Sequence, residues 1–169
     1  MIPLARWCRF GWLIALALAA CASPRVDGRF QDPNGRFSLA LPGLPWQTTS
    51  VRGTLFSVRQ PDWGAAIGLA AECASPEPGP LPAVARHLFF GLQQADVASR
   101  VPVEVAGVPG MRTHLTAQLD ERPVEIDAVT LRLDACLYDL MLIAPPDRFA
   151  IALPDFDRLL GSWTREARP

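Results

Sequence analysis

The sequence predicts an α+β domain in which a mainly antiparallel sheet of about six to eight strands packs with two helices. Several segments alternate apolar with polar residues, which is typical of half-buried antiparallel strands, and turn signals separate them. Two further segments, one in the middle of the chain and one at its end, repeat apolar residues at helical spacing. The order of strands, helix, strands, helix favours a sheet between helices. A chain of 169 residues has room for one such domain.

The first half of the domain is predicted to form an antiparallel meander. A short edge strand around 29–31 precedes the turn signal Asp32-Pro33-Asn34-Gly35. Further strands are expected at 37–41, 46–51, 54–59 and 65–73. The last of these places Cys73 at the same parity as its aliphatic residues, so we expect the Cys73 side chain to point toward the buried face.

Residues 82–96 are predicted to form an amphipathic helix, with Pro82 in its first turn. The ring of Phe90 falls on the polar side of this helix. Two interpretations stay open for Phe90: a loop covers the ring, or the ring belongs to a contact for a partner. Trp46, which follows the Pro-rich break at 42–45, is the other candidate partner contact.

A second group of strands follows the helix. A strand at 101–105, a turn at 107–110 and a strictly alternating strand at 111–119 are expected, with His114 on the polar face of the last. The next strand, at 124–133, changes its apolar parity between residues 128 and 129. This change predicts a bulge or a strong bend.

The chain is predicted to end with the central strand of the sheet and a closing helix. Residues 136–144 are apolar nearly throughout, as expected for a strand that is covered on both faces. The helix is expected at 154–163, where Phe156, Leu159, Leu160 and Trp163 recur at helical spacing. Its apolar stripe should lie on the sheet.

The amino terminus has the layout of an export signal. Residues 1–9 carry two Arg and no acid, and an apolar run of about 11 residues follows. As a helix this run would extend only ~16 Å, too short for the ~30 Å hydrocarbon core of a bilayer. The sequence thus predicts a cleaved signal rather than a spanning anchor. The alternative that the run begins a buried helix stays open.

The end of this run, Leu18-Ala19-Ala20-Cys21, resembles the lipobox of bacterial lipoproteins. The resemblance implies that cleavage leaves Cys21 as the first mature residue, acylated (as by palmitate) and anchored stably by several chains. Because Ala22 and Ser23 follow without an Asp, it further implies the periplasmic face of the outer membrane. An ordinary signal cut after Ala20, with an unmodified Cys21, is the alternative. The predicted organisation is a signal at 1–20, a lipidated tether at 21–28 and one domain at 29–169.

Two cysteines remain for the mature domain, Cys73 and Cys136. An exported compartment is oxidising, so this pair is predicted to form a disulfide. Two separate buried thiols are the alternative. A catalytic thiol is not favoured, since neither Cys has a His nearby in the sequence.

Composition excludes several classes of function. All 16 basic residues are Arg, so a lysine Schiff base and a Gly-Lys-Ser/Thr phosphate loop are excluded. A formal net charge of −1 without a basic run excludes a nucleic-acid partner. Loss of residues 1–20 would remove Arg6 and Arg9 and no acid, leaving the mature chain at −3.

No residue cluster in the sequence identifies a reaction. The two histidines, His87 and His114, lie on different elements without ligands at metal-binding spacing, so no metal and no cofactor are expected. There is no Gly-x-Ser-x-Gly elbow. Glu125, Asp127 and Asp139 alternate along strands as solvent-facing acids would. We therefore expect no catalytic residue and no enzyme activity.

The domain resembles the PsbP-like fold, an α/β/α sandwich. The resemblance rests on the phenylalanine-led strand, Pro and Trp of 37–46, on the mid-chain helix and paired strands, and on the terminal Phe156-x-x-Leu-Leu-x-Ser162-Trp163, and it covers about 29–165. Proteins with this look are mostly accessory proteins of larger assemblies, so it implies no catalytic residue. The cysteine pair does not belong to the pattern.

Two functions follow from the sequence. The first is a non-enzymatic, membrane-anchored envelope lipoprotein that acts as an accessory or protein-interaction module, with an unidentified envelope protein as its partner. The alternative is a carrier or sensor of a small apolar ligand or lipid. Its cavity would lie between sheet and helix and be lined by Leu88, Phe89, Leu140 and Leu142; an ordinary filled core would use the same residues.

Overall fold

A computed structural model of the chain describes residues 28–73, 79–89 and 91–166. The predicted signal and Cys21 lie outside the described residues, and so does Phe90. In chain order the elements are β1 (Arg29–Gln31), β2 (Phe37–Ala40), β3 (Gln47–Thr49), β4 (Thr54–Gln60), β5 (Ala65–Glu72), α1 (Leu81–His87), β6 (Gln93–Val105), β7 (Val108–Leu119), β8 (Arg122–Leu133), β9 (Cys136–Ala144), α2 (Pro146–Gly161) and β10 (Thr164–Arg165). The predicted α+β class is confirmed, with ten strands described rather than six to eight.

The strands form two antiparallel sheets. The larger has seven strands in the order β3-β4-β5-β9-β8-β7-β6, and the smaller has the order β1-β2-β10. β9 is the fourth of the seven strands, which confirms the predicted central position of 136–144. β6 is an edge strand of 13 residues, most of them exposed.

The two helices cover opposite faces of the larger sheet. α2 packs on β9, β8 and β5, while α1 packs on β7 and β8. Along β8, Val129 and Leu131 belong to the apolar cluster under α2, and Ile126 and Ala128 belong to the cluster under α1. Because neighbouring side chains on a strand point to opposite faces, the sheet lies between two apolar layers.

This arrangement corrects the predicted bulge in β8. β8 pairs with β7 and with β9 in continuous register through residues 128 and 129. The apolar parity changes because both faces of the strand are buried and the polar position moves from one face to the other. Asp127 lies on the α2 face and Thr130 on the α1 face, and both are buried.

The mid-chain helix is shorter than predicted. α1 ends at His87 with Leu88 as its C-cap, and Gly91, at φ +95°, takes a turn conformation that glycine adopts at little cost. The chain then enters β6, where Gln93 pairs with Gln118 of β7. Leu92 still packs against the apolar cluster under α1, so the helical spacing of apolar residues continued past the true end of the helix.

The closing helix begins earlier than predicted. α2 begins at Pro146, eight residues before the expected start, and Pro154 lies inside it. Phe149 and Ala152 extend its buried stripe toward the amino terminus. Proline is common in the first turn of a helix, so the sequence placed the start of this helix at Pro154. The proline of the first turn is instead Pro146.

The hairpin between β6 and β7 also differs from the prediction. Its two turn residues are Ala106 and Gly107, with φ of 49° and 77°. Two consecutive positive φ values are the requirement of a type I′ hairpin turn. Val108 is therefore the first residue of β7 and is buried, rather than part of a longer turn.

Candidate functional site

A groove of about 270 Å³ lies between the loop 41–46 and the carboxyl-terminal half of α2. Trp46 forms its inner side: the side chain is 6% exposed, and the indole Nε1 donates a hydrogen bond of 2.7 Å to Asp155 Oδ2. Asp155 Oδ1 is paired with Arg158. The loop is therefore fixed to α2 through the Asp155 carboxylate.

The exposed apolar side chain of this loop is Leu44, which is 94% exposed. Trp46 itself, expected from the sequence as a partner contact, is buried against α2 and against Trp63. The groove residues around Leu44 include Leu41, Pro42 and Gly43. The surface that a partner would meet here is thus the tip of the loop and not the indole.

The chain enters the domain beside this loop. The carbonyl oxygen of Gly28 accepts a hydrogen bond of 2.6 Å from the backbone N–H of Leu41, and Arg29 pairs with Ala40 in the β1–β2 ladder. Any anchor that precedes Gly28 is consequently attached next to the groove.

A charged cluster lies where β7, β8 and α2 meet. The guanidinium of Arg112 donates to both carboxylate oxygens of Asp127 at 2.7–3.0 Å and to Asp157 Oδ1 at 2.7 Å. Asp127 is 3% exposed, which corrects the expectation that it faces solvent. The hydrogen bond that Arg112 donates to Asp127 is the main reason why the pKa of Arg112 is raised. This cluster attaches α2 to the sheet by charge as well as by apolar contact.

His114 and Glu125 lie beside this cluster without a nucleophile. His114 Nε2 is 2.9 Å from Glu125 Oε1, and the imidazole ring meets Phe149 edge to face at 5.0 Å. Ser99 lies opposite His114 in the β6–β7 ladder. In the described part of the chain no hydrogen bond joins the Ser99 hydroxyl to the imidazole, whereas an activated serine needs that bond to its base.

The predicted disulfide joins Cys73 to Cys136. Cys136 is buried, whereas Cys73 is exposed at the end of β5, so the expected burial of Cys73 was wrong. Arg36 Nη1 lies 2.8 Å from Cys136 Sγ and donates at 2.8 Å to the hydroxyl of Tyr138. Burial raises the pKa of this tyrosine, and the hydrogen bond from Arg36 lowers it. Arg36 thus links the small sheet to the disulfide.

Asp139 lies on the α1 face of β9 and is half-buried, which corrects the expectation that it faces solvent. It accepts a hydrogen bond of 2.7 Å from Thr130 Oγ1. Burial raises the pKa of Asp139 above its ordinary value of 3.8, the Thr130 bond lowers it, and the charge of Glu72 raises it further. The net direction is upward, so the folded protein holds this proton more tightly than the unfolded chain does.

This raised pKa predicts a pH dependence of stability. The contribution of Asp139 falls as the pH rises from 3.8 through the raised pKa, because the native state must release a proton that the unfolded chain has already lost. We expect Asp139→Asn, which keeps an acceptor for Thr130, to be more stable than the wild type above this window and to lose that part of the pH dependence. Urea unfolding at a series of pH values from acidic to neutral measures the free energy of unfolding of each variant and its dependence on pH. Asp147→Asn, at an exposed site, is the control and should follow the wild type; a stability curve of Asp139→Asn that runs parallel to that of the wild type would contradict the prediction.

The residues proposed for a ligand cavity do not line one space. Leu140 and Leu142 are fully buried in the cluster under α2. Leu88 and Phe89 pack in the cluster under α1. The sheet separates the two sets, so the structure contradicts the expected lining of a carrier cavity.

Within residues 28–73, 79–89 and 91–166 the structure brings together no group of three or more His, Cys, Asp or Glu side chains in an arrangement suited to a metal ion. The helices of that same part of the chain are too short or too polar to cross a bilayer.

Sequence reasoning missed two features of these sites. Leu44 is an apolar residue between Gly43 and Pro45, outside any alternating strand, and that isolation was the available signal. Arg112 and Asp127 occupy the polar positions of two neighbouring strands, but only the placement of α2 shows that this polar face is covered.

Comparison with known proteins finds likeness in structure only. No protein-family model matches the chain. No curated protein sequence matches it either. CyanoP, the cyanobacterial PsbP of Synechocystis sp. PCC 6803, is similar with a TM-score of 0.63 and 14% identity, over 88% of this chain and 98% of that chain.

Two further solved structures share the architecture. LpqN of Mycobacterium tuberculosis, described as involved in cell envelope biogenesis, has a TM-score of 0.57 and 13% identity, over 80% of this chain and 87% of that chain. A protein of unknown function from Pseudomonas aeruginosa, PA94, has a TM-score of 0.52 and 12% identity, over 83% of this chain and 96% of that chain. At these identities the likeness shows the fold alone, and it confirms the PsbP-like fold that the sequence resembled.

Proposed function

We propose that this chain is a membrane-anchored envelope lipoprotein whose PsbP-like domain is a non-enzymatic accessory module that binds an envelope protein. The observation that carries the proposal is the position of Cys21: the lipobox-like segment ends seven residues before Gly28, where the chain enters the folded domain. Lipid on Cys21 would therefore hold the whole domain at a membrane surface.

The structural likeness supports an accessory role. LpqN, which shares the fold, is described as involved in cell envelope biogenesis, and CyanoP is a PsbP protein. Within the described residues the polar clusters act as structural contacts: the Arg112 cluster attaches α2, and His114 pairs with Glu125. The outer membrane is the proposed location, from the residues that follow Cys21.

A carrier role has weaker support. The groove beside Trp46 has about 270 Å³, below the ~300–1,000 Å³ of typical ligand pockets. The residues expected to line an internal cavity pack on opposite faces of the sheet. The accessory module therefore remains the better interpretation.

The anchor is tested by replacing Cys21. We expect Cys21→Ser to lose palmitate incorporation and to move from the membrane pellet to the supernatant of broken cells, because an unacylated chain lacks the apolar groups that hold it in a bilayer. Cys8→Ser, inside the predicted signal, is the matched control and should behave as the wild type. A Cys21→Ser protein that stays in the pellet and carries label would contradict the proposal.

The accessory role is tested by crosslinking the intact protein in its membrane. The chain has no Lys, so a photoactivated or carboxyl-reactive reagent is needed in place of the usual amine-reactive ones. A discrete heteromeric product of constant mass is expected. Crosslinked material that contains only this chain, together with lipid released from the purified protein in native mass spectra, would favour the carrier instead.

A further inference from the structure

The loop 41–46 holds an apolar side chain away from the domain. Leu44 is 94% exposed, yet the loop around it is fixed. The backbone N–H of Trp46 donates to the carbonyl of Gly43 at 3.1 Å, and the Trp46 indole is bonded to Asp155 of α2. Single exposed apolar residues are common on protein surfaces, so the exposure of Leu44 does not by itself indicate a binding surface.

The second observation is the short distance along the chain between this loop and Cys21. Gly28 is hydrogen-bonded to Leu41, at the base of the loop. Seven residue steps separate Cys21 from Gly28, which span at most about 25 Å when fully extended. If Cys21 is held in a bilayer, the base of the loop lies within about this distance of the bilayer surface.

The third observation is the charge beside the loop. Arg158 lines the groove; its side chain is 73% exposed and is paired with Asp155. Arg29, exposed at the start of β1, donates a hydrogen bond to Ser38 Oγ. The acid of the groove, Asp155, is already bonded to Trp46 and Arg158. Arginine side chains near a membrane are attracted to anionic headgroups.

We propose that the loop 41–46 is a membrane-contact loop, and that Leu44 inserts into the surface of the same bilayer that holds the Cys21 anchor. This inference rests on the proposed lipid anchor. It adds an orientation to that anchor: the end of the domain with β1 and the groove faces the lipid, and the exposed edge strand β6, at the far side of the larger sheet from β3, stays available to the aqueous side.

Depth-dependent fluorescence tests this orientation. The full-length chain with Leu44→Cys is produced in its lipidated form, labelled with an environment-sensitive dye, and reconstituted into phosphatidylethanolamine vesicles that contain phosphatidylglycerol. The other mature cysteines are the acylated Cys21 and the disulfide pair, so the introduced thiol takes the dye. Leu119→Cys is the matched control, because Leu119 is also apolar and 44% exposed but lies at the end of β7 on the sheet.

We expect the dye at position 44 to shift to shorter wavelengths on reconstitution and to lose emission when nitroxide lipids are included, while the dye at position 119 does neither. Palmitate-labelled protein that floats with the vesicles but leaves the dye at position 44 unshifted and unquenched would overturn the membrane-contact loop and leave the anchor intact. Protein that carries no palmitate and does not float would contradict the anchor, and the loop proposal with it.

Discussion

Replacing Arg112 by Met should lower the free energy of unfolding by about 3 kcal/mol, the lower end of the range for breaking a buried ion pair from one side. Asp127 is 3% exposed and accepts three hydrogen-bond contacts from this guanidinium. Without Arg112 its carboxylate stays buried and unpaired, and α2 loses the bond to Asp157. The low end of the range applies because the Arg112 side chain is 27% exposed. The change is measured by urea unfolding at neutral pH.

Two matched variants distinguish the cost of leaving the Asp127 carboxylate buried and unpaired from the cost of losing any arginine. Arg112→Met combined with Asp127→Leu should recover most of the lost stability, because replacing both members of a buried pair by apolar residues is often close to neutral. Arg148→Met removes an arginine from an exposed pair with Asp147 and should change stability by less than about 1 kcal/mol. If Arg112→Met and Arg148→Met unfold at the same urea concentration, the buried cluster does not stabilise the attachment of α2.

Removing the disulfide should cost about 4 kcal/mol in the chain-entropy model. Cys73 and Cys136 are separated by 63 residues, so the bond closes a long loop in the unfolded chain. In the folded state β5 and β9 are already paired up to Glu72 and Leu137, and the bond adds little order there. The double variant Cys73→Ala/Cys136→Ala should therefore fold to the same structure but unfold at lower urea than the oxidised wild type.

Reduction provides the control for this effect. Dithiothreitol should lower the stability of the wild type toward that of the double variant and leave the double variant unchanged, because only the wild type has a bond to lose. Equal unfolding midpoints for oxidised wild type and double variant, or two alkylatable thiols in the mature wild-type domain, would contradict the prediction.

The strands were predictable where the order of apolar and polar residues, or the turns that bound the segment, marked them in the sequence. The turn signals on either side of 54–59 located β4, the alternation in 111–119 located most of β7, and the continuous apolar run of 136–144 located the central strand. The fold class and the order of its elements followed from these local patterns. In each case the pattern depends only on residues within one element or in the turns that bound it.

The errors arose where the pattern depends on a second element. The parity change in β8 indicated a bulge. It arises instead because α1 covers one face of β8 near residues 126–128 and α2 covers the other face near residues 129–131. The helical spacing through Leu92 continued past Gly91 because Leu92 packs in the same cluster as α1. Pro154 lies inside α2, where the tertiary packing of the stripe overrides the usual cost of an interior proline.

The candidate sites divide in the same way. The disulfide between Cys73 and Cys136 was predictable because only two cysteines remain in the predicted mature domain, and an exported compartment is oxidising. The burial of Asp127 and the partial burial of Asp139 were not, because alternation shows which side of a strand is polar and not whether another element covers it. Trp46 was expected at a partner contact, but its indole is bonded to Asp155 and held inside, and Leu44, to which the sequence assigned no role, is the exposed residue of the loop.

The lipid anchor is tested most directly by the mass of the amino-terminal peptide of the mature protein from its native host. We expect the peptide to begin at Cys21 and to carry the added mass of a diacylglyceryl group with a further acyl chain on its amine. Recovery of an unmodified peptide that runs continuously across residues 18–25 would contradict the lipid anchor, the proposed envelope function and the membrane-contact loop together.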